Sequence, residues 1–122
     1  MSKTILTIDD SASIRQMVAM TLRSAGHTVI EAVDGSQGYD QATSHRLDAV
    51  ITDLNMPIMN GIEFIRKYRT HPSSKGVPIL LLTTESDDEL KRQAKEAGAT
   101  GWIVKPFKQD QLIAVIKKVT GA

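Results

Sequence analysis

The sequence contains no cysteine, which removes disulfides, thiolate metal sites and thiol catalysis together. It also lacks an excess of either charge. Fifteen lysines and arginines face fourteen acids, and the resulting +1 is far from the basic surplus of a nucleic-acid binder. No long apolar run occurs: the longest uninterrupted aliphatic stretch is Ile79 to Leu82, far short of the roughly 20 residues that span a bilayer. The apolar segment after Lys3 ends at Asp9, too early for a secretory signal. No repeat, low-complexity tract or linker is visible. These absences lead us to expect a cytoplasmic protein with neither membrane nor nucleic acid as partner.

What remains is a globular composition, 41% hydrophobic and 24% charged. The 122 residues suffice for one domain with a sizeable core but not for two, so 1–122 is expected to be a single domain without a fused effector. Short apolar runs at Thr4–Ile8, Thr28–Ala32, Ala49–Thr52, Pro78–Thr83 and Gly101–Val104 scarcely alternate. They read as strands covered on both faces, hence a parallel sheet.

Helical patterns lie between them. Ile14, Met17, Val18, Thr21, Leu22 and Ala25 recur at helical spacing before Gly26, with Asp10 or Ser11 as cap. A weaker helix covers Gly35–Ser44. Ile62, Ile65 and Tyr68 mark a third, and Leu90, Ala94 and Ala97 a fourth, which Ser86 would cap and Gly98 would stop. Leu112, Val115, Ile116 and Val119 mark the last. His27, His45 and His71 fall in polar stretches and read as surface residues. Five strands alternating with five helices give a doubly wound α/β fold, with ligands bound beyond the carboxyl ends of the strands.

Those ends share a chemistry. The first strand runs into Asp9-Asp10, the third into Asp53, the fourth into Thr83-Thr84 and the fifth into Lys105. Any one of these is ordinary as a cap or a solvated loop charge; four on one rim are not. Three carboxylates and one ammonium leave about −2 when ionised. A hard divalent cation such as Mg²⁺, taken by carboxylates, a backbone carbonyl and water, restores neutrality. With that cation and Lys105 the pocket can hold a phosphoryl group, and an aspartate can act as its acceptor.

Asp9-Asp10, Asp53-Leu54-Asn55-Met56-Pro57-Ile58-Met59-Asn60-Gly61, Thr83 and Lys105-Pro106-Phe107 together resemble the motif set of response-regulator receiver domains. The resemblance runs from Thr4 to about Thr120, and is closest to the stand-alone CheY-like chemotaxis regulators through Asp53-x-Asn55-Met56-Pro57 and Thr83-x-Glu85. It implies a flavodoxin-like (βα)5 fold with strand order 2-1-3-4-5. It implies Asp53 as phosphoacceptor, Mg²⁺ held by Asp10, Asp53 and the Asn55 backbone carbonyl, and Asp9 acting mainly through a coordinated water. Lys105 would pair with the phosphoryl oxygens, Thr83 would hydrogen-bond one of them, and Lys105-Pro106 would be cis. Gly61 would supply a conformation barred to other residues. The implied partners are a sensor histidine kinase, a downstream protein (flagellar motor switch or relay partner) and a phosphatase.

Departures from the family pattern are as informative. The switch position three before the lysine, usually Tyr or Phe, is Trp102. Asn55 and Glu85 resemble the pair that speeds loss of the phosphoryl group, whereas Thr84 replaces a small residue and narrows the mouth. Asp87 and Asp88 are acidic where many flagellar-motor-binding relatives are basic, which leaves open a relay or phosphate-sink role outside chemotaxis, in another two-component pathway. An aspartyl-phosphate phosphohydrolase is a rival, but it needs a second acid two residues after its nucleophile, and Asn55 cannot shuttle a proton. A flavin or nucleotide module is another; it needs a phosphate loop where this chain has Asp9-Asp10-Ser11.

Overall fold

The β-branched and aliphatic runs form strands β1 (Thr4–Ile8), β2 (Thr28–Ala32), β3 (Ala49–Thr52), β4 (Ile79–Thr83) and β5 (Gly101–Val104), all parallel in the order β2-β1-β3-β4-β5. The computed structural model describes residues 2–85 and 87–121. Pro78 precedes the fourth strand because it has no N–H to give the ladder, although its carbonyl still accepts from the Val50 N–H at 2.9 Å. The flavodoxin-like expectation holds in both topology and strand order.

The helices are α1 (Ala12–Ser24), α2 (Gly35–Ser44), α3 (Gly61–Arg69), α4 (Asp88–Ala97) and α5 (Gln109–Thr120). Ser11, not Asp10, caps α1, its side chain accepting from the Ile14 N–H. Asn60 and Glu63 form a reciprocal capping box on α3. At α4 the expected cap, Ser86, lies outside the described residues; Asp87 accepts from the N–H groups of Glu89 and Leu90. The apolar face of α2 is thin, and Gly38 explains how it still packs: a Cβ there would stand 2.4 Å from Ile8 Cδ1, so only glycine lets the helix press onto β1.

Alternation along the buried strands supplies two cores. Ile5, Ala49, Ile51, Leu80, Leu82 and Ile103 face α1 and α5, meeting Val18, Leu22, Leu112 and Ile116. Leu6, Ile8, Val50, Ile79 and Leu81 face α2, α3 and α4, meeting Ala42, Phe64, Ile65 and Ala94. Helices on both faces are why these strands are mostly apolar. Parallel register then aligns the strand ends: Ile8 pairs with Thr52 and Thr83 with Val104, so Asp9, Asp53 and Lys105 all emerge on one rim.

His27 departs from the surface reading. It is buried, and its Nδ1 accepts the Lys3 N–H at 3.2 Å, a bond that requires the neutral ring. Burial first, with the Lys3 charge adding, lowers its pKa from 6.5. The unfolded chain therefore takes up this proton before the folded one, so the His27 contribution is complete above about pH 6.5 and declines as pH falls toward the lower folded value. Urea midpoints of wild type and His27→Gln should converge in pH dependence above that value. Between about pH 6.5 and 5 the variant should lose less stability; equal losses would refute the assignment.

Candidate functional site

β1 and β3 deliver the two most buried acids. The side chains of Asp9 and Asp53 are 3% and 11% exposed, and Lys105, after β5, reaches both. Its Nζ lies 3.2 Å from Asp53 Oδ1 and 3.4 Å from Asp9 Oδ2. Asp9 Oδ1 accepts the Ser11 N–H at 2.9 Å, so both its oxygens are engaged by protein. Asp10 stands exposed at the mouth, and one oxygen from each of Asp9, Asp10 and Asp53 lies within 4.8 Å of the others. The Lys105–Pro106 peptide is cis, as the resemblance implies.

One ammonium cannot neutralise three carboxylates, and the imbalance shows at Asp53. Burial foremost, then the Asp9 charge, raises its pKa from 3.8, while Lys105 acts in the opposite direction by charge and hydrogen bond. The donors are hard carboxylate oxygens, two buried and one open to solvent. That set fits a small divalent cation and would not suit a soft metal.

The remaining expected residues lie at the end of β4 and just beyond it, on β5, and in the loop after β3. Thr83 is buried, its Oγ1 accepting the Glu85 N–H at 3.2 Å, and its carbonyl accepts the Lys105 N–H at 2.8 Å. Trp102 is half-buried against the core, and its indole N–H donates to the Glu85 carbonyl at 2.9 Å. Thr83, Glu85 and Trp102 thus form one hydrogen-bonded chain, with Thr84 exposed beside it. Asn55 is exposed two residues beyond Asp53.

Gly61 requires a correction. It does not adopt a left-handed φ; the loop residue that does is Ile58, at 71°. Glycine is needed at 61 for room, because a Cβ would lie 2.3 Å from the Asp53 carbonyl oxygen and 2.9 Å from Leu81 Cδ2. Arg15 was not anticipated at all. Its Nη1 donates to the Asp9 carbonyl at 2.8 Å and its Nε to Glu31 Oε1 at 3.2 Å, bracing the loop that carries Asp9 and Asp10. The available signal was a cation close to the positive end of α1, where the helix dipole disfavours it without a partner.

A five-stranded doubly wound sheet with an acid cluster and one lysine at its switch point defines the class of flavodoxin-like α/β proteins, with the cluster where such folds bind their ligands. Within that class, the profile of the response regulator receiver domain matches residues 5–117. The chain is 36% identical over 119 residues to the chemotaxis protein CheY homolog of Campylobacter jejuni, covering 96% of this chain and 92% of that protein. It is 35% identical over 117 residues to the phosphate regulon transcriptional regulatory protein PhoB of Pseudomonas aeruginosa, with 96% of this chain and only 51% of that protein covered, so it spans about half of such relatives. Among solved structures, chemotaxis protein CheY4 of Vibrio cholerae superposes with a TM-score of 0.94 at 44% identity, covering 98% of this chain and 99% of that one. The PA1611 receiver domain of Pseudomonas aeruginosa, solved with a magnesium ion coordinated in its active-site cleft, has a TM-score of 0.92 at 27% identity over the full length of both chains. This chain belongs to the receiver-domain family of two-component response regulators and is CheY-like; phosphorylation and Mg²⁺ binding are general features of that family.

Gly61→Ala should therefore cost about 1–3 kcal/mol by overpacking against backbone rather than through φ. A lower urea midpoint with an unchanged slope is the expected result; an unchanged midpoint would show that the loop has slack.

Proposed function

We propose that this chain accepts a phosphoryl group on Asp53 from a sensor histidine kinase, in a cytoplasmic chemotaxis pathway. The observation that carries the reading is the approach of Asp9, Asp10 and Asp53 oxygens to within 4.8 Å, with Lys105 bonded to two of the three. A carboxylate oxygen of Asp53 attacks phosphorus as the bond from phosphorus to the donor imidazole breaks. The imidazole leaves with the electron pair, and an acyl phosphate remains on Asp53. Asp10, Asp53 and the Asn55 carbonyl would hold Mg²⁺, with Asp9 acting through water, and the ion would supply charge neutralisation for the transferring group.

Lys105 already lies against the acceptor and turns to the phosphoryl oxygens with little reorganisation. The Thr83 hydroxyl accepts the Glu85 N–H and keeps its own proton to donate to a phosphoryl oxygen, and the Glu85 carbonyl is in turn held by Trp102. That chain makes Thr83 and Trp102 the route by which the acceptor biases the surface of α4, β5 and α5 toward a downstream protein. Exposed Asn55 and Glu85 support fast loss of the phosphoryl group, by water or with a partner phosphatase, while Thr84 narrows the entrance. The 44% identity to a chemotaxis protein favours that pathway, and acidic Asp87-Asp88 favours a relay or phosphate-sink role over direct binding to the flagellar motor.

Labelled acetyl phosphate with Mg²⁺ should mark the wild type and leave Asp53→Asn blank; equal labelling of both would refute the acceptor assignment. Asp10→Asn should weaken Mg²⁺ binding roughly tenfold or more by calorimetry, since affinity follows the ligand charge count. An unchanged affinity would remove Asp10 from the ligand set. Beryllofluoride, a phosphoryl mimic, should change Trp102 emission in wild type, and constant emission at demonstrated saturation would exclude Trp102 from the route.

A further inference from the structure

Two of the three acids at the rim are tied down by their own side chains, and the third is not. Asp53 Oδ1 and Asp9 Oδ2 both meet Lys105, and Asp9 Oδ1 accepts the Ser11 N–H. Asp10 is exposed, and among the described residues its carboxylate has neither a hydrogen bond nor an ion pair. One of its oxygens nevertheless lies within 4.8 Å of those of Asp9 and Asp53. The backbone that carries Asp10 must therefore hold it there.

That backbone is pinned from two sides. The Asp9 N–H donates to the Ala32 carbonyl at 3.1 Å, and the Asp9 carbonyl accepts from Arg15 Nη1 at 2.8 Å. The Asp9–Asp10 peptide is planar, so the direction of that carbonyl fixes where the Asp10 Cα stands. Arg15 is aimed in turn by Glu31 on β2, which accepts from its Nε at 3.2 Å. Glu31 is itself held by Arg23 Nη2 at 3.4 Å, and the same nitrogen donates to the Val29 carbonyl at 3.2 Å. The Arg15 side chain is only 15% exposed, in the first turn of α1 where the helix dipole opposes a cation. A neutral side chain would suit the helix better. The fork from Asp9 to Glu31 answers a need of the loop.

We propose that Arg15 is the positioning residue for Asp10: by holding the Asp9 carbonyl, it sets the Asp10 carboxylate toward the other two acids before any ion arrives. This rests on the reading of Asp10 as a ligand of Mg²⁺. Arg15 touches neither the ion nor the phosphoryl group, and it acts only through the Asp9–Asp10 peptide. The sign of its effect separates position from charge. Arg15 is a cation near a cation site, so by Coulomb's law alone its removal would tighten Mg²⁺ binding. Loss of positioning weakens it.

The test measures Mg²⁺ affinity by calorimetry on wild type, Arg15→Met, Arg15→Lys, Asp10→Asn and the double variant carrying Arg15→Met and Asp10→Asn. Urea midpoints taken without Mg²⁺ report the folding of each. Methionine keeps the apolar stem but no donor, whereas lysine keeps the charge and a donor without the fork. Arg15→Met should bind Mg²⁺ roughly tenfold more weakly than wild type, the size usual for a group that orients a metal ligand, and Arg15→Lys should fall between the two. In the Asp10→Asn background, Arg15→Met should change affinity by less than about twofold, because the group it positions is gone. The same cycle with Arg15→Lys serves if the midpoint shows Arg15→Met to be unfolded. Wild type that binds no Mg²⁺, or Asp10→Asn with wild-type affinity, would defeat the ligand reading and this proposal with it. Where wild type binds and Asp10→Asn is weakened, two results would overturn the proposal alone. One is an Arg15→Met affinity equal to or above that of wild type; the other is a pair of losses that simply add in the double variant.

Discussion

Lys105 holds the ends of three strands to a shared electrostatic problem. Its ammonium lies 3.2 Å from Asp53 and 3.4 Å from Asp9, with Asp10 completing the acid cluster, and it cannot satisfy all three. The arrangement exists because β1, β3 and β5 run parallel, which puts their carboxyl ends on one rim; an antiparallel sheet would send Asp9 and Asp53 to opposite edges. It persists because the strands behind it are apolar on both faces, so the core supports charges it does not solvate. Two buried carboxylates on one lysine would be a poor way to stabilise a fold. For a divalent cation the same shortfall of positive charge would make binding favourable, and only with that cation in place would the well suit a phosphoryl group.

Hydrogen bonds also connect the rim to the surface. Lys105 and Thr83 are tied through backbone, the Thr83 hydroxyl accepts from Glu85, and Glu85 accepts from Trp102. On the proposed reading, a phosphoryl oxygen beside Lys105 would take the Thr83 hydroxyl proton, and rotation of that hydroxyl toward it would alter the bond from the Glu85 N–H and so reach Trp102. The indole differs from a phenol or a phenyl ring here, since its N–H ties it to the loop before any phosphoryl group arrives. On the proposed reading only the difference in free energy between this loop arrangement and a phosphorylated one would matter for signalling, and a few kcal/mol would invert their populations.

Strand positions and rim chemistry were legible in the sequence because both follow from local composition: apolar runs define the strands, and polar residues interrupt them at their ends. Asp9, Asp10, Asp53 and Lys105 come together as expected for this reason. What could not be read depends on approach between distant segments. Gly61 looks like a glycine chosen for its φ, yet the Asp53 carbonyl opposite is what excludes a side chain. His27 sits in a polar stretch, and neither its burial nor its bond from the Lys3 N–H, 24 residues away, is legible there. Arg15 is one basic residue among fifteen until the Asp9 carbonyl and Glu31 are placed beside it.

These exceptions are not scattered at random. Arg15, Ile58, Gly61 and the raised pKa of Asp53 all violate a local preference, respectively of helix electrostatics, backbone geometry, side-chain space and solvation. All four lie in or beside the loops that follow β1 and β3. The strand interiors, by contrast, obey alternation and burial throughout. A sequence selected for stability alone would have relaxed the loops as readily as the core. That the conflicts with local preference gather around one well argues that the well is what the rest of the sheet was retained to hold.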